Sequence, residues 1–251
     1  MSLLNSVVVV TGAASGIGAE TVRLFLEAGS QVVGVDVATP PVPRELTERY
    51  PGRVIGVVGD VGQESTAQHF VAAALNAFSR IDILINNAGV ACVKRLHEHT
   101  EAEWDRVMNT NVKSLFWAAR SVVPVMQRQG GGSIVNIGSI SSICGMPFQG
   151  AYGPSKGALI QLTRQMAIDY AGDGIRVNAV CPGTVDTPLL RSAAEESGDV
   201  DGFLKSLADG HPIGRIASAE EIARFVRFVA SPEAGFVTGA VLMIDGGYSA
   251  Q

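Results

Sequence analysis

Tyr152 and Lys156 stand at i and i+4 in the run Ala151-Tyr152-Gly153-Pro154-Ser155-Lys156. On a helix that spacing puts both side chains on one face. Pro154 suits an early helical position, where a missing N–H costs little. A free tyrosine is only about one part in a thousand phenolate at pH 7. A neighbouring ammonium favours the phenolate and lowers its pKa. Such a pair acts as general acid or base on an alcohol. Ser139 lies thirteen residues earlier, just past the apolar run Ile134–Ile137. A hydroxyl at the carboxyl end of a strand can hydrogen-bond a reacting oxygen. Ser141 and Ser142 offer the same group, and a Tyr–Lys pair at this spacing also occurs as an ordinary exposed pair. The combination points to chemistry; no member does so alone.

A second constellation sits at the start of the chain. Thr11-Gly12-Ala13-Ala14-Ser15-Gly16-Ile17-Gly18 follows the apolar run Val7–Val10 and leads into a helical pattern. Glycine allows sharp turns and close backbone approach, and a helix N-terminus offers N–H groups and a positive dipole end to phosphate. The spacing is G-x-x-x-G-x-G, and by itself it also fits a plain strand-to-helix turn. Eighteen residues after Gly18, a second apolar run ends in Val35-Asp36. A carboxylate there is placed to accept hydrogen bonds from a ribose diol.

The elements that must hold these residues alternate along the chain. Short apolar runs at Val7–Val10, Gln31–Val35, Val54–Val58, Ile83–Ile85, Ile134–Ile137, Val177–Val180 and Val241–Ile244 predict seven strands. Their near-continuous apolarity predicts cover on both faces, as in a parallel sheet. Helical stripes lie between them, as at Phe70, Val71, Ala74, Leu75 and Phe78. Thr100-x-x-Glu103 and Ser218-x-x-Glu221 read as capping boxes. Gly29 and Gly172 mark expected helix ends. The expected fold is α/β, a doubly wound Rossmann-type sheet, mostly parallel, with helices on both faces. No linker divides the chain, so one domain is expected over 1–251. The stretch from about 186 to 212 reads as irregular and partly polar (Glu195-Glu196-Ser197-Gly198-Asp199), with Leu189, Leu190, Phe203, Leu204 and Leu207 needing cover. It is expected to be a lid.

Composition bounds the function. The 251 residues carry 19 basic and 24 acidic side chains, a net −5, which argues against nucleic acid as the main partner. No apolar run approaches the ~18 residues of a membrane span, and the N-terminus has no basic leader pattern. Three cysteines, Cys92, Cys144 and Cys181, lack C-x-x-C spacing. They are expected to be reduced, buried and cytoplasmic. His97-Glu98-His99 offers two histidines without a placed third ligand, so no metal is expected. His69 and His211 are expected on solvated faces.

The sequence resembles the single-domain short-chain dehydrogenase/reductase family over essentially its whole length. The resemblance rests on Thr11 to Gly18, Asp60-Val61, Asn86-Asn87-Ala88-Gly89, Asn111, Ser139, Tyr152-x-x-x-Lys156 and Pro182-Gly183-x-x-x-Thr187. It implies Tyr152 as acid/base, Ser139 as holder of the substrate oxygen, and Lys156 as binder of the nicotinamide ribose that lowers the tyrosine pKa. Asn111 would hold a water in a proton relay. Gly12, Ser15, Gly16, Ile17, Gly18 and Asp36 would hold the cofactor, with Asp60 and Val61 at the adenine. Asn86, Asn87, Ala88 and Gly89 would line the cleft, and Pro182, Gly183, Val185 and Thr187 would hold the nicotinamide end. The substrate would meet Ser139, Ser141, Met146, Gln149, Tyr152, Thr184 and Leu189, with Ile140, Cys144 and Leu190 nearby.

The cofactor is expected to be NAD, because Asp36 is followed by Val37 and Ala38 with no arginine adjacent. The expected reaction interconverts a secondary alcohol and a ketone, on an uncharged, small to medium, cyclic substrate. The alternatives are a 3-oxoacyl-carrier-protein reductase and a dehydrogenase of a small hydroxy acid or deoxy-sugar acid. Trp104, Met108, Phe116 and Trp117 at helical spacing predict the contacts of a homotetramer, and the resemblance implies helix pairing and a further contact near Val241 to Tyr248.

Overall fold

Strand β1, Val7–Thr11, consists of five buried residues, four of them valine, so apolar cover is required on both of its faces. The computed structural model describes residues 3–196 and 198–251, apart from the side chains at 189, 193 and 196. The strands that follow are β2 (Gln31–Asp36), β3 (Val54–Val58), β4 (Ile83–Asn86), β5 (Gly132–Ile137), β6 (Ile175–Pro182), β7 (Val185–Asp186), β8 (Ala217–Ser218) and β9 (Val241–Ile244). The helices are α1 (Gly16–Glu27), α2 (Arg44–Arg49), α3 (Glu64–Phe78), α4 (Glu101–Met108), α5 (Ser114–Gln129), α6 (Tyr152–Tyr170), α7 (Pro188–Glu196), α8 (Val200–Asp209) and α9 (Ala219–Ala230).

Seven strands form one sheet in the order β3-β2-β1-β4-β5-β6-β9, every pair parallel. Alternate residues supply the two cores. Val7, Val9, Val33 and Val35 pack with Phe70 and Ala74 of α3 and with Val122 and Met126 of α5. Val8, Val10 and Val32 pack with Val22 and Phe25 of α1 and with Ile222, Val226 and Val229 of α9. The chain order reverses between β1 and β4, which opens a crevice at their carboxyl ends, where such sheets bind ligands.

The seven predicted strands and both capping boxes form, with Thr100 capping α4 and Ser218 capping α9. Three expectations change. At the helix end expected at Gly172, α6 stops at Tyr170, and a short 3-10 turn over Ala171–Asp173 carries the chain on, so that Gly174, at φ +71°, takes the left-handed position instead. The stretch from 186 to 212 is not irregular but folds into α7 and α8. Phe203, Leu204 and Leu207 make the half-buried face of α8, and Asp199 caps it by accepting from Gly202 N–H at 3.0 Å. Of the polar run that suggested a loop, Glu195 and Glu196 end α7, Asp199 caps α8, and Ser197 lies outside the described residues. Of the three cysteines only Cys181 is buried; Cys92 and Cys144 are half-buried. No helix among the described residues is long and apolar enough to cross a membrane.

Candidate active site

The glycine turn is built by backbone needs that only glycine meets. Gly12 and Gly16 hold φ of +66° and +54°, and a Cβ at Gly18 would collide with the Gly12 carbonyl. The turn is clamped to the end of β4. Thr11 Oγ1 accepts from Asn87 N at 3.0 Å and Ala88 N at 3.1 Å, and Asn87 Nδ2 donates to the carbonyls of Thr11 (2.9 Å) and Gly12 (3.1 Å). Ser15 is the extended N-cap of α1, and its hydroxyl does no capping. The helix ladder starts with Ala19 N to Ser15 O, so the earlier first-turn N–H groups, including those of Ile17 and Gly18, have no intrahelical acceptor.

Asp36 ends β2 beside this turn, its carboxylate accepting from Ala14 N and Ala38 N, each at 3.0 Å. Asp60 is exposed and accepts from Gly62 N at 2.9 Å, while Val61 packs against the core. Asn86 does not line the cleft as expected. It is buried in the sheet, donating to Asn136 Oδ1 at 2.8 Å, and Asn136 in turn donates to Thr163 Oγ1 at 2.9 Å.

Tyr152 and Lys156 share one face of the first turns of α6, against the end of β5. Lys156 Nζ lies 5.6 Å from the Tyr152 ring centre but donates to the Ile137 carbonyl at 2.7 Å. Burial pushes the Lys156 ammonium down to about 8. Burial also pushes the Tyr152 phenol up, and its hydrogen bond with Ser139 opposes that shift. The expected lowering of the phenol by Lys156 is therefore not what this arrangement gives: desolvation wins, and the ammonium is turned to a carbonyl. Ser139 Oγ is fixed by Ser141 N at 3.1 Å and donates to Ser141 Oγ at 3.2 Å. Asn111 sits in a single π turn, Asn109–Lys113, between α4 and α5, a local feature common at functional sites. Its amide clasps Val90 N and O, both at 2.9 Å, and donates to Ser155 Oγ at 3.0 Å. Ser155, which sequence reasoning passed over, donates to the Tyr152 carbonyl at 2.7 Å and so joins Asn111 to α6. Gly89 leaves room beside both: a Cβ there would stand 3.5 Å from Asn111 Oδ1 and from Lys156 Nζ.

The opposite wall is the segment after β6. Val185 is buried, and Thr187 approaches the glycine turn, with its Cγ2 3.2 Å from where a Gly16 Cβ would be. Gly183 has space for nothing larger, because a Cβ would meet His211 Nε2 at 2.6 Å. His211 is not solvated as expected. It is buried, its Nε2 accepts from Thr184 N at 3.1 Å, and its Nδ1 meets the Leu207 carbonyl at 2.7 Å. That geometry requires a neutral ring with the proton on Nδ1. Tyr248 packs on the ring at 5.3 Å between centres and donates to Met146 Sδ at 3.3 Å. His211 thus ties α8 to the segment carrying Pro182, Gly183 and Thr184, a role that no spacing in the sequence signals. His211→Phe keeps the ring but orphans two part-buried backbone groups, Thr184 N and Leu207 O. It should lower unfolding stability by about 2 kcal/mol or more, read from denaturant midpoints. Unchanged stability would deny the tie.

Gln149 Oε1 is shielded from solvent and has no hydrogen-bond partner. The side chain of Leu189 lies outside the described residues. On α7 and α8, Arg191 pairs with Asp186 at 2.6 Å and Lys205 pairs with Asp209 at 2.7 Å.

A family model described as enoyl-(acyl carrier protein) reductase matches residues 12–249. The 2-(R)-hydroxypropyl-CoM dehydrogenase of Xanthobacter autotrophicus is 38% identical, over 98% of this chain and 100% of its own. The cis-4-hydroxycyclohexanecarboxylate dehydrogenase of Sinomonas cyclohexanicum is 41% identical, over 97% of this chain and 96% of its own. The L-sorbose reductase of Gluconobacter frateurii, solved with NADPH and L-sorbose, superposes with a TM-score of 0.94 at 32% identity, over 100% of both chains. The chain belongs to the short-chain dehydrogenase/reductase family, oxidoreductases that interconvert alcohols and ketones with a nicotinamide cofactor.

Proposed function

We propose that this chain is an NAD(H)-dependent oxidoreductase of a secondary alcohol and its ketone, with an uncharged, small to medium, cyclic substrate. The observation that carries the reading is the convergence of Ser139, Tyr152 and Lys156 at the end of β5, in the same fold as the glycine turn and Asp36. The unpaired first-turn N–H groups of α1 suit a pyrophosphate, and the Asp36 carboxylate suits a ribose diol. Gly12, Ser15, Gly16, Ile17, Gly18 and Asp36 would hold one end of the dinucleotide. Asp60, Val61, Asn87, Ala88 and Gly89 would flank it, and Pro182, Gly183, Val185 and Thr187 would hold the other end. When bound, the nicotinamide supplies the hydride acceptor or donor.

The chain's own residues do the rest. Tyr152 Oη takes the hydroxyl proton during oxidation and returns it during reduction. Ser139 Oγ donates to the substrate oxygen and keeps it in line with the phenol. Lys156 supplies positive charge beside the phenolate, and Asn111 braces the segment at Val90 that borders it. An assay of a panel of cyclic diols, polyols, sugar acids, hydroxy acids and steroids with NAD tests the reading. Turnover of a neutral cyclic alcohol above every acid supports it, and a hydroxy acid outperforming every neutral alcohol overturns the substrate class.

The substrate class rests on two observations. Arg191 and Lys205, the lid cations, are already paired with carboxylates, which leaves neither as a ready clamp for a substrate carboxylate. Gln149 Oε1 is a buried acceptor awaiting a donor, which suits a second hydroxyl on the substrate. Gln149→Leu should therefore cost a cyclic diol ~0.5–1.5 kcal/mol in kcat/KM and spare its mono-ol analogue. An equal loss on both would remove Gln149 from substrate reading. Ser141, Met146 and Thr184 complete the proposed pocket.

The assembly is proposed to be a homotetramer in a reducing, cytoplasmic compartment. Phe116 is half exposed on α5, Trp117 beside it is only partly covered, and β9 is an edge strand with no buried residue. Such apolar surface calls for a partner, and three free cysteines fit reducing conditions. Light scattering at micromolar concentration should give four times the chain mass; a monomeric mass would contradict it.

A further inference from the structure

The pair His97 and His99 offers no metal site by itself, but the fold brings two other ligand types to His99. The donor atoms of Cys92, His99 and Glu103 all lie within 4.8 Å of one another. Cys92 comes from the segment after β4, His99 from the turn before α4, and Glu103 from the first turn of α4. Both ring nitrogens of His99 are shielded from solvent and have no hydrogen-bond partner. An imidazole left with both nitrogens unmet is costly, because each has given up water without gaining a partner. A cation on one of them removes part of that cost.

We propose that Cys92, His99 and Glu103 form a binding site for a Zn²⁺-like divalent cation. One thiolate, one imidazole and one carboxylate are the donor types zinc takes, and three protein ligands leave a fourth position for water. Magnesium and calcium prefer all-oxygen shells and do not suit this set. The thiolate and carboxylate charges together balance the ion, and binding releases the thiol proton of Cys92.

A resident cation already marks the position. Lys94 Nζ pairs with Glu103 Oε1 at 2.6 Å. The Lys94 side chain is 39% exposed, so it can swing into water when a divalent ion enters. The second oxygen of Glu103 stays on Thr100 N at 2.9 Å, which keeps the helix cap while the first oxygen is exchanged.

The site adjoins the proposed pocket wall through the backbone. Val90 is clasped by Asn111, and Lys94 pairs with Gln149 and accepts from Gly150 N at 3.0 Å. A bound ion would therefore brace the segment that supports both Asn111 and Gln149.

The test is Zn²⁺ binding to the purified, metal-free full-length chain, measured by competition with a chromophoric chelator. One ion per chain is expected. Cys92→Ser and His99→Gln should each weaken binding by more than about tenfold, since losing a direct ligand costs more than losing an outer partner. Lys94→Met should tighten binding, because the competing ammonium is gone. Co²⁺ loading should give a thiolate charge-transfer band that Cys92→Ser lacks. Circular dichroism of each variant checks that it is folded, and Lys94→Met keeps the proposal testable if a ligand variant fails to fold. Substoichiometric binding in the wild type, undiminished binding in a folded Cys92→Ser or His99→Gln chain, or no tightening in Lys94→Met overturns the site. None of these readouts depends on dehydrogenase activity.

Discussion

Tyr152→Phe should lower kcat by at least about a hundredfold, because general acid–base catalysis contributes 10²–10⁴-fold and the phenylalanine ring carries no proton to exchange. NAD affinity should be nearly unchanged, since only one hydroxyl is removed. The pH profile gives the sign. Burial holds the Tyr152 phenol above its ordinary value, so oxidation, which needs the phenolate, rises with pH through the neutral and mildly alkaline range. Reduction needs the phenol and is favoured as pH falls. Lys156, pushed down to about 8 by the same burial, loses its charge as pH rises past that point in the ligand-free protein. An anionic cofactor or phenolate nearby would hold that proton on, so Lys156→Ala should damage both cofactor binding and turnover. A Tyr152→Phe enzyme that keeps more than about a hundredth of wild-type kcat would deny the tyrosine its proton-transfer role.

The second large effect concerns the cofactor. NAD should exceed NADP in kcat/KM by about a hundredfold or more. A 2′-phosphate would sit beside the Asp36 carboxylate, and like charges a few ångströms apart cost on the order of several kcal/mol at an effective dielectric near 20. The carboxylate cannot simply turn away, because it is held by two backbone N–H groups, of Ala14 and Ala38. Asp36→Ala should lower the NAD-to-NADP ratio by about tenfold or more, each tenfold corresponding to ~1.4 kcal/mol. Equal or better use of NADP by the wild type, or an unchanged ratio in Asp36→Ala, would remove Asp36 from discrimination.

The sheet was legible because its strands obey a local rule. Val7 to Val10 is apolar at every position, and a strand covered on both faces has to read that way. The glycine turn was legible because backbone geometry at Gly12, Gly16 and Gly18 admits no other residue without strain or collision. The Tyr152–Lys156 pair was legible because helical spacing alone puts both on one face. What stayed hidden depends on contacts between distant segments. His211 meets Thr184 across 27 positions, and Cys92 meets Glu103 across the turn before α4, with no periodic signal for either. Asn86 lies beside Asn87 in the same motif, yet its side chain bonds Asn136 on the neighbouring strand, fifty residues away in sequence. Helices α7 and α8 were masked by the polar residues Glu195, Glu196, Gly198 and Asp199, although Phe203, Leu204 and Leu207 already carried a helical stripe.

Hydride transfer itself can be followed by isotope. The wild-type chain is incubated with NAD and a cyclohexane diol carrying deuterium on its carbinol carbons, and the nicotinamide is examined by NMR. Deuterium should appear on the nicotinamide ring, with the hydroxyketone formed in equal amount, and Tyr152→Phe should reduce the rate at least about a hundredfold. Absence of deuterium on the nicotinamide with this diol, and with every deuterated secondary alcohol of the substrate panel, would contradict the assignment of Ser139, Tyr152 and Lys156 to alcohol oxidation.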